Sequence, residues 1–118
     1  MNMKEFSKLV GLSSYTLRYY EKIGLLQDVQ RNTSGHRDYT NKDLLWVQFV
    51  NRLKDTGMPL VQIQQYATLR AQGAGTALAR QTLLEQHKDN LKAHIKLQQQ
   101  HLAMLEDKIN LYKANKVS

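Results

Sequence analysis

The sequence predicts a mainly α-helical protein, with a helix-turn-helix domain, a β-hairpin beside it and one long helix behind them. Three observations carry that expectation. Short apolar repeats at helical spacing end at Gly11, Gly24 and Gly57. One turn-rich stretch, "RNTSGHRDYT", interrupts the helical pattern. Residues 76–112 contain no glycine or proline and carry apolar residues in a heptad rhythm.

The elements follow in chain order. "MKEFSKLV" sets Phe6, Leu9 and Val10 at helical spacing before Gly11, a helix over about 4–10 with a glycine stop. Ser13 or Ser14 can cap a second helix, 14–23, by accepting from an orphan backbone N–H. Leu17, Tyr20 and Ile23 share one face of it, and Gly24 with Leu25 closes it. Two short helices joined by a glycine-containing turn form a helix-turn-helix signal. Residues 27–40 read as a hairpin wing, with "NTSG" as turn chemistry and Gly35 available for a positive φ. Thr40 or Asn41 can cap a third helix, 41–56, and Asp43 suits its first turn. Leu45, Trp46, Phe49, Val50 and Leu53 form its apolar stripe. Gly57 ends it, Met58 supplies the follow-on contact, and Pro59 suits the first position of a fourth helix, 60–71. Residues 1–72 are thus expected to be the winged helix-turn-helix domain.

Residues 76–113 are expected to be a dimerisation helix. At 1.5 Å per residue it would run roughly 55 Å. Leu84, Lys88, Leu91, Ile95, Gln98, Leu102, Leu105, Ile109 and Tyr112 fall at alternating steps of four and three, the heptad seam. One small domain cannot bury so narrow a stripe along so long a helix. The simplest cover is a second copy, so the seam predicts a coiled-coil homodimer with Leu84, Leu91, Ile95, Leu102, Leu105, Ile109 and Tyr112 at the interface. Lys88 and Gln98 interrupt the seam, where polar residues set register.

Composition narrows the function. The 118 residues include no cysteine, which excludes disulfides, thiolate metal sites and thiol nucleophiles in this chain. No apolar run is long enough to span a membrane, and the N-terminus lacks a signal-peptide core, so a soluble cytoplasmic protein with no membrane partner is the default. The net charge of +7 favours a polyanionic partner, with an anionic membrane surface or plain solubility as competing readings. No paired-carboxylate constellation, nucleophile motif or phosphate loop points to an enzyme, and no cofactor is expected. His87, His94 and His101 recur every seven residues, about 10 Å apart along a helix, too far for two to share one ion. A solvated flank accounts for them, and no metal site is expected.

The second helix singles itself out. With Leu17 and Ile23 inward, Tyr15, Thr16, Arg18, Tyr19 and Lys22 are left outward. Exposed aromatic groups beside an arginine need a use. Arginine can pair with phosphate or fork to a guanine edge, and tyrosine can donate to phosphate while its ring packs on a sugar or a thymine methyl. Packing of some tyrosines against the hairpin and third helix is the plainer alternative, Tyr20 above all.

Three stretches, "MKEFSKLVGLSSYTLRYYEKIGLL", "RNTSGHRDYT" and "DLLWVQFVNRLKDTGMPL", resemble the MerR family of bacterial transcription regulators along nearly the whole chain. The resemblance implies a winged helix-turn-helix domain and a long helix paired antiparallel with its twin. It implies binding to double-stranded promoter DNA with an over-long spacer, which the dimer bends and untwists for RNA polymerase nearby. It places DNA contacts on Thr16, Arg18, Tyr19 and Tyr20 of the second helix and on Arg37 and Tyr39 of the wing, with Ser14, Tyr15, Arg31 and His36 as further candidates. The short subgroup that responds to aldehyde and nitrosative stress is the most similar, yet Arg52 stands where those relatives hold a reactive cysteine. A constitutive repressor or an excisionase-like architectural DNA protein is the alternative. A helical adaptor with incidental basicity is a third reading, disfavoured by the tyrosine–arginine helix beside a basic hairpin.

Overall fold

A computed structural model describes residues 1–116. It contains α1 (Met3–Val10), α2 (Ser14–Lys22), β1 (Gln30–Arg31), β2 (Arg37–Asp38), α3 (Asn41–Asp55), α4 (Leu60–Ala71) and α5 (Ala77–Lys113), with a 3-10 turn at Ala74–Thr76 before α5. The chain divides into two compact units, Met1–Leu83 and Leu84–Ser118. The break expected near residues 73–75 is therefore a turn inside the first unit.

Capping chemistry sets the helix starts. The Asn2 side chain accepts from the Glu5 N–H at 2.8 Å and opens α1. Ser13 rather than Ser14 caps α2, accepting from the Thr16 N–H at 3.1 Å. Thr40 caps α3 in a reciprocal box: its hydroxyl accepts from the Asp43 N–H, and the Asp43 carboxylate accepts from the Thr40 N–H at 3.0 Å. Gly57, at φ 87°, takes the left-handed conformation that closes α3. The next N–H, of Met58, then reaches back to the Leu53 carbonyl at 2.9 Å, and the Met58 side chain is buried. Pro59 occupies the N-cap of α4 instead of its first turn, and its carbonyl accepts from Gln62 and Ile63.

The core of the first unit is built from all four helices and the base of the hairpin. Phe6, Leu17, Leu25, Tyr39, Val47, Val50 and Ile63 are fully buried. The Phe6 and Tyr39 rings stack at 4.1 Å and join α1 to the end of the hairpin. Trp46 lies against Tyr66 of α4, its ring centroid 5.8 Å away, and its indole N–H donates to the Leu25 carbonyl at 2.6 Å. Leu9 and Leu45 point to solvent, contrary to their place in the expected stripes; on α3 Leu45 is 68% exposed and Val47 is buried in its stead. A broad stripe on a helix leaves its edge residues ambiguous, and packing against α1 and α4 chose the side.

The hairpin is shorter than the 27–40 stretch suggested. Only Gln30↔Asp38 and Arg31↔Arg37 pair, antiparallel. Asn32 closes the tip: its side-chain oxygen accepts from the Ser34 and His36 N–H groups, both at 3.0 Å, and its carbonyl accepts from Gly35 at 2.9 Å. This Asx-type closure supplies by side chain what a longer ladder would supply by backbone.

In the second unit α5 continues without interruption. Ile95, Leu102, Leu105, Ile109 and Tyr112 are exposed, and Leu84 and Leu91 are half-buried. Leu97, Met104 and Leu111 are exposed as well, so the apolar surface is broader than the expected seam. No helix among the described residues is long and apolar enough to cross a membrane.

Candidate nucleic-acid interface

The helical period of α2 sorts its side chains. Leu17 and Tyr20 enter the core, Tyr20 at 3% exposure, while Tyr15 is 77% and Tyr19 44% exposed. Arg18 and Lys22 lie on the exposed surface, and Ser14 and Thr16 are half-buried along its edge. Two local bonds order this face. The Ser13 hydroxyl donates to the Thr16 hydroxyl at 3.0 Å, and an Arg18 guanidinium N–H donates to the Ser14 hydroxyl at 3.3 Å.

The wing is fastened to α2 by one acid. Arg37 donates from Nε to the Glu21 carboxylate at 2.7 Å, an ion pair whose two side chains are about a quarter exposed, and the Tyr39 hydroxyl lies 3.4 Å from the same oxygen. The bond to Glu21 raises the Arg37 pKa, so that guanidinium stays charged. Burial, reinforced by the Glu21 charge, pushes the Tyr39 phenol up to about 12, so it stays neutral and able to donate. At the wing tip Arg31 donates to the Gly35 carbonyl at 2.9 Å, and His36 is exposed.

These elements enclose a cleft of about 270 Å³ that brings Arg18 of α2 together with Arg31, His36 and Arg37 of the wing. Lys4 from the first turn of α1 lines the same cleft. Glu21 is half-buried and engaged with Arg37, so the cleft presents cations and N–H donors. An anion with several oxygens, such as a phosphodiester, suits that lining.

Two expected contact residues are placed otherwise. Tyr20 and Tyr39 are core side chains, Tyr39 at 2% exposure. Phe6 stacks on the Tyr39 ring, and Lys54 donates to the Tyr20 hydroxyl at 2.7 Å. Neither ring is on the outer face with Tyr15 and Tyr19. Lys4 and Glu21 were missing from the sequence-derived set. Lys4 carries no signal in a lone helix, because only the approach of the wing makes its position meaningful. Among the described residues no group of three or more His, Cys, Asp or Glu side chains is disposed to hold a metal.

Comparison with known proteins gives the arrangement its relatives. Residues 1–69 match the family described as MerR HTH family regulatory protein, and residues 44–108 match the one described as MerR, DNA binding. An HTH-type transcriptional regulator of Haemophilus influenzae is 39% identical over 107 residues, covering 91% of this chain and 79% of that protein. The regulator AdhR of Bacillus subtilis is 36% identical over 91 residues, covering 77% of this chain but only 65% of its own length. Among solved structures, a MerR family transcriptional regulator from Listeria monocytogenes superposes with a TM-score of 0.90 at 36% identity, over 96% of this chain and 86% of that one. HiNmlR, a MerR family regulator lacking the sensor domain and bound to promoter DNA, superposes at 0.88 with 36% identity, over 98% and 92%.

Proposed function

The chain belongs to the MerR family of DNA-binding transcription regulators, and from that premise we propose that it works as a cytoplasmic homodimer that grips two half-sites of a promoter with an over-long spacer and distorts the DNA between them. The observation that carries this reading is the basic cleft, where the outward face of α2 and the wing converge on one surface. Arg18, with Tyr15, Tyr19 and Thr16 beside it, is the element that meets base edges. Arg31, His36, Arg37 and Lys4 meet the phosphates. HiNmlR, a MerR family regulator bound to promoter DNA, supports duplex DNA as the partner. Tyr20 and Tyr39 act from beneath it: Tyr39 shares Glu21 with Arg37 and so sets where the wing lies against α2.

The dimer rests on α5. Its exposed leucines and isoleucines require a cover, and an antiparallel copy supplies one along the Leu84–Tyr112 seam. Two reading heads held at a fixed separation accept only half-sites on matching faces of the duplex. Smooth bending of a site of this size costs about 1–6 kcal/mol, which contacts from two α2 helices and two wings offset. RNA polymerase is the partner that uses the reshaped promoter.

The chain has no cysteine, and Arg52 is exposed on α3, so thiol chemistry in these residues is not the signal. That favours, as a second reading, a regulator that acts constitutively, shaping or blocking its promoter without an inducer. The test is a binding series on inverted repeats whose separation is stepped base pair by base pair. Affinity should peak at one separation and fall when the half-sites are rotated by half a helical turn. Indifference to separation would remove the proposed mechanism. Transcription assayed on the same promoter then divides activation from repression.

A further inference from the structure

A cavity of the first unit larger than the basic cleft shares no lining residue with it. It measures about 560 Å³ and sits among the base of the hairpin, α3, α4 and the start of α5. That is within the roughly 300–1,000 Å³ of small-molecule sites. Its floor is Trp46, the only tryptophan in the chain, and Leu25, Ala67 and Ala71 supply apolar wall.

The charges around that floor are uneven in an informative way. The Arg70 guanidinium lies over the Trp46 ring, 4.3 Å from its centroid, which orients its N–H edge instead of leaving it to wander. Arg80 is half-buried and donates from Nε to the Thr76 hydroxyl, at 3.1 Å. Lys42 stands at the exposed rim. The two ion pairs among the described residues, Met1–Asp38 and Arg37–Glu21, include none of these three cations. Of the acids that line the cavity, Asp43 is committed to the cap of α3 and Asp28 is exposed. Two part-buried guanidinium groups in neither of those ion pairs, above an aromatic floor and an aliphatic wall, match a ligand with a carboxylate at one end and an apolar body at the other.

We propose that this cavity binds a small organic carboxylate, its anionic end held by Arg70 and Arg80 and its apolar body laid between Leu25, Ala67 and Trp46. The ligand touches the connection after α2, α3, α4 and the start of α5 at once.

Trp46 reports occupancy directly. Benzoate is titrated into the full-length protein at constant ionic strength, with no DNA present, while tryptophan emission is followed. Benzamide, of the same shape without the charge, and sulfate, the charge without the apolar body, are run in parallel. The expected result is a saturating change with benzoate alone, weakened about tenfold in Arg80→Gln and retained in large part in Arg80→Lys. Arg70→Gln, at the other guanidinium, gives a second weakened curve should Arg80→Gln fold poorly. A response that stays linear with benzoate, an equal response to benzamide or to sulfate, or an unchanged curve in folded Arg80→Gln or folded Arg70→Gln would each overturn the proposal. Because DNA is absent, none of these outcomes bears on promoter binding.

Discussion

A single carboxylate organises the proposed DNA-binding surface. Glu21 takes a short bond from Arg37 and stands against the Tyr39 hydroxyl, so one acid sets the wing against α2. The Tyr39 phenol, with its pKa pushed up to about 12 by burial and by Glu21, links this contact to pH. Its ordinary value is 10.0, so the stability it contributes is fully present below that pH and is lost as pH rises through about 12. Denaturant midpoints taken across that window should fall more steeply for wild type than for Tyr39→Phe, which keeps the stack on Phe6. Parallel curves would mean the phenol is not held as described. Arg18 makes a different prediction. Its one local bond, to Ser14, is long at 3.3 Å, leaving the guanidinium free to read a base. Arg18→Ala should lose about 1–3 kcal/mol of operator affinity and relax specificity at one position. Quantitative footprinting on operator variants measures both, and an unchanged affinity would strike Arg18 from the contacts. The exposed half of this surface was legible in sequence, since the period of α2 places Tyr15, Arg18 and Tyr19 outward once Leu17 is inward. The fates of Tyr20, Tyr39 and Lys4 were not, because each depends on a residue distant in the chain.

Local side-chain chemistry governs where the elements begin and end. Ser13 or Ser14, and Thr40 or Asn41, mark helix starts in the sequence, because a cap acts within three residues and needs no tertiary partner; the structure selects Ser13 and Thr40. Thr40 also joins the wing to α3, directly after the buried Tyr39. Thr40→Ala should destabilise the first unit by about 0.5–2 kcal/mol. Urea unfolding should show a lower midpoint with an unchanged slope, and a Thr40→Ser control should recover most of the loss. An unmoved midpoint would mean the box in the structure carries no stability. The hairpin is the opposite case. Turn residues around Gly35 predict a reversal but not how many pairs follow it. Two pairs form, and the Asn32 side chain makes the bonds at the tip. The stripe of α3 is intermediate: Trp46, Val50 and Leu53 were read correctly, while the choice between Leu45 and Val47 belonged to the helices packed against it.

At the scale of the molecule, the long helix decides what the protein must do next. An apolar seam that one chain leaves open, with Ile95, Leu102, Leu105 and Ile109 about half exposed, is costly in water. Leu91→Asp combined with Leu102→Asp puts charges into the proposed antiparallel interface. Sedimentation should then show a monomer, and operator affinity should drop to that of an isolated half-site while the first unit melts as before. A tight dimer in the double variant would place the interface on another face, with Leu97, Met104 and Leu111 the alternative surface. The sequence alone determined the helical class, where the helices start to within a residue or two, the reversal at the wing, and the long break-free stretch of α5 with its heptad rhythm. All of these arise from interactions within a few residues or from a repeat along one element. Only the tertiary structure decided that Tyr39 and Tyr20 belong to the core, that Glu21 locks Arg37, that Lys4 joins the basic cleft, and that Arg70 and Arg80 share a cavity floored by Trp46. Those placements bring together side chains far apart in the chain, and no periodicity records which distant neighbour a residue will meet.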